Sequence, residues 1–146
     1  MGLPMAKNIL KSGFKLKAFN RSIEKAEPLK EFGAEISKSI SDVVKDSDFV
    51  ITMLTDDSAV DAITSSTDFL NNLKSGSTVI DMSSVKPTTA TKHGENLKSK
   101  NINYLDAPVS GGTIGAEEAS LAIMVGGEES VFDNSEKILK AMGNPT

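Results

Sequence analysis

Phe49-Val50-Ile51-Thr52-Met53-Leu54 is a nearly continuous apolar run, and it limits the possible folds more than any other stretch. A strand with one wet face alternates apolar and polar residues. A run without alternation belongs in a parallel sheet covered on both faces. The flanking segments fit such a sheet. Helical spacing of Met5, Ile9 and Leu10 predicts a helix over 4–10 that ends at Gly13. Leu16, Ala18 and Phe19 read as a short strand closed by Asn20-Arg21-Ser22, with Ser22 as N-cap of a helix that Pro28 interrupts and Gly33 stops. A brief strand at 34–36 and a helix near 39–45 precede the apolar run. After it come short helices near 58–63 and 69–73, a strand over 78–82, and a helix opened by Pro87 and running to about Lys100. Strands around Tyr104-Leu105 and Leu121–Val125 and a helix over 131–142 complete the series. Alternating βα units predict a doubly wound α/β fold, which binds ligands at the carboxyl ends of its strands.

The 146 residues amount to one domain, 38% apolar and 25% charged, in the range of soluble globular proteins. No run approaches 18 apolar residues, so no membrane span is expected. The start shows no basic-then-apolar leader. Zero cysteines and one histidine leave no disulfide and little for a metal site. The expectation is a cytoplasmic, metal-free protein. Net charge is −4, yet the first 30 residues hold seven Lys/Arg against two Glu. These cations are spaced along helix and strand without interleaved aromatics, so an anionic cofactor explains them better than nucleic acid.

The most informative string is Asp106 to Gly127, DAPVSGGTIGAEEASLAIMVGG. Two apolar strands flank glycine-rich turns. At Ser110-Gly111-Gly112, glycines without Cβ beside a hydroxyl let backbone N–H groups approach a small anion. The full string closely resembles the substrate-binding segment of the β-hydroxyacid dehydrogenases, the family of 3-hydroxyisobutyrate dehydrogenase, tartronate semialdehyde reductase and, more distantly, 6-phosphogluconate dehydrogenase. Met1-Gly2-Leu3-Pro4-Met5-Ala6-Lys7-Asn8 resembles the second half of that family's cofactor fingerprint, in which Gly-Leu-Gly-x-Met-Gly follows a strand and opens a helix. The resemblance runs from Met1 to about Gly143.

The resemblance implies a Rossmann-like sheet lacking its first strand, hence a fragment: residues 1–146 as a partial NAD(P)-binding domain, with the C-terminal helical domain absent. In the 3-2-1-4-5-6 order that strand is central, so its neighbours are expected to show unpaired apolar edges. The stretch 142–146 reads as a connection without a closing element.

By the same resemblance, Gly2 and the turn Asn20-Arg21-Ser22 bind cofactor. An acidic residue at that turn would bind the 2′-OH of NAD, whereas Arg21 accommodates the 2′-phosphate of NADP. NADP(H) is therefore expected, with NAD possible. Leu54 and Thr55 match the family's Met-Leu-Pro stretch over the cofactor, with Thr55 in place of proline. Asp56-Asp57 is read as a helix cap, because Asp81 and Lys86 are too close together for a phosphoacceptor site. Ser84, together with Ser83, lies in Asp81-Met82-Ser83-Ser84-Val85-Lys86-Pro87, similar to the family's Asp-x-Ser-Thr-x-x-Pro near the nicotinamide. Ser110, Gly111 and Gly112 are expected to hold the substrate carboxylate. His93 reads as an exposed histidine on a polar helix.

The family's general acid or base is a lysine in a Gly-x-Gly-x-x-x-Lys stretch. No lysine here matches it, Lys86 and Lys92 included, so no catalytic residue is assigned and the fragment alone is expected to be inactive. The expected partner is a small hydroxyacid or semialdehyde, and the whole protein is expected to be a homo-oligomer. Residues 113–127 look somewhat closer to tartronate semialdehyde reductase. The alternative is a non-catalytic cofactor-binding scaffold of the same fold.

Overall fold

The computed structural model describes residues 1–146. Helix α1 (Gly2–Lys11) turns Met5, Asn8 and Ile9 inward, the i, i+3, i+4 face that the periodicity predicts. Strands β1 (Lys17–Ala18) and β2 (Glu35–Ile36) then pair in parallel. The segment between them is not the interrupted α-helix expected. It forms two 3-10 turns, Ile23–Lys25 and Glu27–Phe32, with Pro28 at the start of the second and Gly33 closing it in the left-handed region. Pro28 lacks an N–H and Gly33 ends the turn at once, so no α-helical run develops. Ser22 occupies the N-cap position, but its side chain makes no cap bond. Its own N–H instead donates to Asn20 Oδ1 at 3.0 Å, an Asx turn.

Helix α2 (Ile40–Val44) is capped by Ser39, whose Oγ accepts the Asp42 N–H at 3.1 Å. Strand β3 (Phe49–Thr52), helices α3 (Asp57–Thr64) and α4 (Thr67–Leu70), strand β4 (Thr78–Asp81), helix α5 (Pro87–Lys98) and strand β5 (Asn103–Asp106) follow. The three strands form a parallel sheet in the order β3-β4-β5. One apolar cluster lies on each face. Met5, Ile9, Ile80, Met82 and Leu105 belong to the larger, and Val44, Val50, Phe69, Val79 and Leu97 to the smaller. The double covering is what the 49–54 run demands.

Strands β1 and β3 do not pair with each other, so each keeps one open edge. Leu16, Phe49, Ile51 and Met53 along these edges are only partly buried. This is where a central strand was expected to be missing. The two parts of the sheet share the larger cluster through α1.

The last third departs from the expected pair of strands with turns between them. Strand β6 (Val109–Ser110) pairs antiparallel with β7 (Leu121–Ile123), and helix α6 (Gly112–Glu118) fills the segment read as a turn. Small residues make that helix possible. A Cβ on Gly115 would sit 3.2 Å from Leu121 Cδ2, and Ala116 is buried against the core. Asn8 Nδ2 of α1 donates to Ala116 O at 2.7 Å and docks the two helices. Helix α7 (Glu129–Lys140) leads to β8 (Gly143–Pro145), which pairs in parallel with β7. Residues 143–145 are thus a strand rather than a bare connection, and the sheet is not purely parallel.

His93 corrects another expectation, since only 1% of it is exposed. Its Nε2 lies 2.7 Å from Asp61 Oδ1, and the ring lies 3.0 Å from Thr64 Oγ1. Ala90, His93 and Leu97 form the inward face of α5, and α3 covers the imidazole with its own polar groups. His93→Ala removes these bonds and leaves a void, so a loss of about 2–3 kcal/mol is expected. Urea unfolding checks it; a change below about 0.5 kcal/mol, ordinary for a surface site, would contradict a structural role.

Candidate functional site

Strands β3, β4 and β5 run parallel and end side by side at Thr52, Asp81 and Asp106, and most of the sequence-predicted residues follow strand ends along the chain. Asn20, Arg21 and Ser22 follow β1; Leu54 and Thr55 follow β3; Ser84 follows β4. Ser110 lies at the end of β6, four residues after β5, and Gly111 and Gly112 begin α6. Gly2 stands at the start of α1, where a Cβ would come no closer than 3.9 Å to Met53 Cβ just past β3. Gly2 and the β3 end therefore meet.

The first amides of α1 have no intrahelical acceptor, and Met1 offers no side-chain cap. That end of the helix favours negative charge. Arg21 is exposed and forms no ion pair, and no acidic side chain stands in its turn. An open helix start and an unpaired arginine each suit a phosphorylated, anionic ligand, and the structure holds no group of three or more His, Cys, Asp or Glu that could bind a metal.

A hydrogen-bond lattice beneath the edge holds the ends of β3 and β4. Asp81 is fully buried; its Oδ1 accepts the Thr52 hydroxyl at 2.9 Å and the Ser83 N–H at 3.0 Å. Ser83 Oγ in turn accepts the Leu54 N–H at 2.8 Å. The two serines therefore differ. Ser83 is buried scaffolding for the Leu54 corner, whereas Ser84 is exposed and free to meet a ligand. Asp81 and Ser83 were not singled out as such by the sequence, although an aspartate ending the apolar run Thr78–Ile80 is a visible signal. Asp56 caps α3 as expected, its Oδ1 accepting the Ala59 N–H at 2.8 Å. Asp57 Oδ2 accepts the Lys86 N–H and the Thr89 hydroxyl, joining the starts of α3 and α5. Those bonds, the backbone one first, hold its carboxyl below the usual aspartate range.

The corner at Ser110 to Gly112 is exposed. Gly111 has φ +138° and Gly112 φ +63°, conformations that glycine adopts freely and other residues rarely. Both N–H groups lie at the start of α6, with no side chain to shield them.

Parallel βα units with their site loops on the carboxyl side, and a glycine at an open helix start, define a nucleotide-binding α/β domain. The chain belongs to the family of the NAD binding domain of 6-phosphogluconate dehydrogenase, whose profile matches residues 1–146. Among relatives, it is 41% identical over 144 residues to the oxidoreductase YkwC of Bacillus subtilis, covering 98% of this chain and 50% of that protein. It is 37% identical over 145 residues to the mitochondrial 3-hydroxyisobutyrate dehydrogenase of Drosophila melanogaster, covering 98% and 44%. The structure of Mycobacterium tuberculosis 3-hydroxyisobutyrate dehydrogenase with L-serine superposes with a TM-score of 0.95 at 33% identity, covering 100% of this chain and 50% of that one. The chain thus spans about half the length of the curated relatives it matches.

Proposed function

We propose that residues 1–146 form part of the cofactor domain of an NADP(H)-dependent oxidoreductase, cytoplasmic and homo-oligomeric, that acts on the CH–OH group of a small hydroxyacid or on the matching semialdehyde. What supports this reading is the family match over residues 1–146, together with an open helix start beside the end of β3, an arginine without an ion pair and an exposed diglycine corner. The nicotinamide cofactor would accept a hydride from the carbinol carbon of the hydroxyacid or deliver one to the semialdehyde carbonyl. Gly2 and the first amides of α1 would receive its pyrophosphate. Asn20, Arg21 and Ser22 would hold the ribose phosphate, and Leu54, Thr55 and Ser84 would border the nicotinamide.

Ser110 Oγ and the Gly111 and Gly112 amides would hold the substrate carboxylate. A fixed carboxylate orients the carbinol carbon toward the cofactor, the part of catalysis this chain can supply. No lysine in these residues matches the family's proton-transfer lysine, so the 1–146 polypeptide alone is expected to transfer no hydride. Residues 113–127 look somewhat closer to tartronate semialdehyde reductase than to 3-hydroxyisobutyrate dehydrogenase, and both take an acid with a three-carbon chain.

Steady-state assays of the whole protein with NADPH and NADH against such acids test the reading. Activity with NADPH supports it, and inertness toward every small hydroxyacid and semialdehyde would defeat it. For cofactor choice, Arg21→Asp should lower kcat/KM for NADPH at least about tenfold while NADH use holds or improves. Equal use of both cofactors by the unmodified protein would remove the role assigned to Arg21.

A further inference from the structure

Two carboxyl groups stand side by side at the ends of β4 and β5. Asp81 and Asp106 are register partners in the parallel ladder, so their side chains leave the same face of the sheet from backbones about 5 Å apart. Asp81 Oδ1 is satisfied by the Thr52 hydroxyl and the Ser83 N–H. Its Oδ2 is buried without a partner, and so is Asp106 Oδ1. Buried acceptors without donors are costly, and two on neighbouring residues are more so when both are charged.

No cation offsets them. On α5, His93 and Lys92 face Asp61, Lys98 pairs with Glu128, and Glu95 is exposed; Lys86 at its start gives its N–H to Asp57. On α7, Lys140 pairs with Glu136, while Glu129, Asp133 and Lys137 lie on the exposed side. Thr52 of β3 is neutral. On β5 itself, the buried Tyr104 hydroxyl bonds to neither carboxyl, and burial followed by the charges of Asp81 and Asp106 keeps it un-ionised.

We propose that Asp81 and Asp106 hold one proton between them, carried on Asp106 Oδ1 and donated to Asp81 Oδ2, as a strut that positions the two site loops leaving β4 and β5. One proton turns one of the two orphaned acceptors into a donor and satisfies both. It resides on Asp106 because two donors already aim at Asp81 Oδ1, an arrangement that suits a carboxylate. Burial first, and the Asp81 charge second, push the Asp106 carboxyl above its ordinary value. The backbone reinforces the same link, with the Ala107 N–H donating to Asp81 O at 2.8 Å. Ser83 and Ser84 lie immediately beyond Asp81, and Ser110 lies four residues beyond Asp106, so the strut connects the two loops.

Because the folded pKa of Asp106 is raised, its contribution is complete below the ordinary aspartate value of 3.8. That contribution is lost as pH rises through the folded pKa. Above it, two like charges face each other.

The test is a 13C NMR titration of the Asp106 carboxyl in the whole protein, with melting curves of wild type, Asp106→Asn and Asp106→Ala. The asparagine amide donates to Asp81 Oδ2 at every pH. The Asp106 carboxyl should titrate above the ordinary aspartate range. The melting temperature of Asp106→Asn should exceed that of wild type by a margin that grows to several degrees across the same pH interval. Asp106→Ala supplies no donor and should fall below Asp106→Asn throughout. An Asp106 carboxyl that titrates at or below the ordinary value overturns the proposal whether or not the variants fold, and so does a melting difference between Asp106→Asn and wild type that is flat in pH. Neither readout uses a cofactor, so both are independent of the proposed activity.

Discussion

Gly111→Ala is expected to lower kcat/KM of the whole protein at least about tenfold, with cofactor affinity near wild type. Gly111 sits at φ +138° and ψ −6°, a conformation that costs a residue with Cβ about 1–3 kcal/mol. The new methyl would also lie 3.3 Å from Leu121 Cδ2 and 3.5 Å from Gly115 Cα, so α6 and β7 hem it in. The strain is relieved by rotating the Gly111 and Gly112 amides, the groups assigned to the substrate carboxylate. Each 1.4 kcal/mol of lost transition-state stabilisation is about a factor of ten. Steady-state kinetics with cofactor fluorescence titrations separate the two effects. Unchanged kcat/KM would remove the corner from the substrate site.

Gly143→Ala should be the most damaging of the single-methyl changes to stability, by about 3 kcal/mol. A Cβ at this position would meet Leu121 O at 2.1 Å and Leu121 N at 2.8 Å. Both are backbone atoms of the partner strand, so no side-chain rotation makes room. Strand β8 must move away from β7 and expose the fully buried Leu121 and Ile123. Urea unfolding measures the loss, and a variant within about 0.5 kcal/mol of wild type would show that the β7–β8 pairing tolerates a methyl.

How much of this was legible depended on whether the signal lay in residue type or in packing. The 49–54 run announced a doubly covered strand because burial on both faces leaves no polar position. The Asp56 cap was legible because a carboxylate before a helix has a short-range role. Helix α6 was not, because glycine and serine around it signal a turn, and only the fit of Gly115 under Leu121 makes a helix favourable. His93 was misread because its helix is polar in composition; the inward face shows only once Ala90, His93 and Leu97 are placed together. The separate duties of Ser83 and Ser84 depend on how the chain leaves β4, and adjacent serines carry no mark of that. The corner at Ser110 to Gly112 was legible as a place, through its glycines. The role proposed for it rests on resemblance.

One claim supports the functional reading: backbone N–H groups at the Gly111-Gly112 corner receive an acid's carboxylate while the cofactor lies along the strand ends. A crystal structure of the whole protein with NADP+ and a small hydroxyacid tests it most directly. The carboxylate oxygens should lie within hydrogen-bond distance of those two amides and Ser110 Oγ, with the carbinol carbon facing the nicotinamide. A structure with the corner covered by protein and the acid bound elsewhere would contradict it.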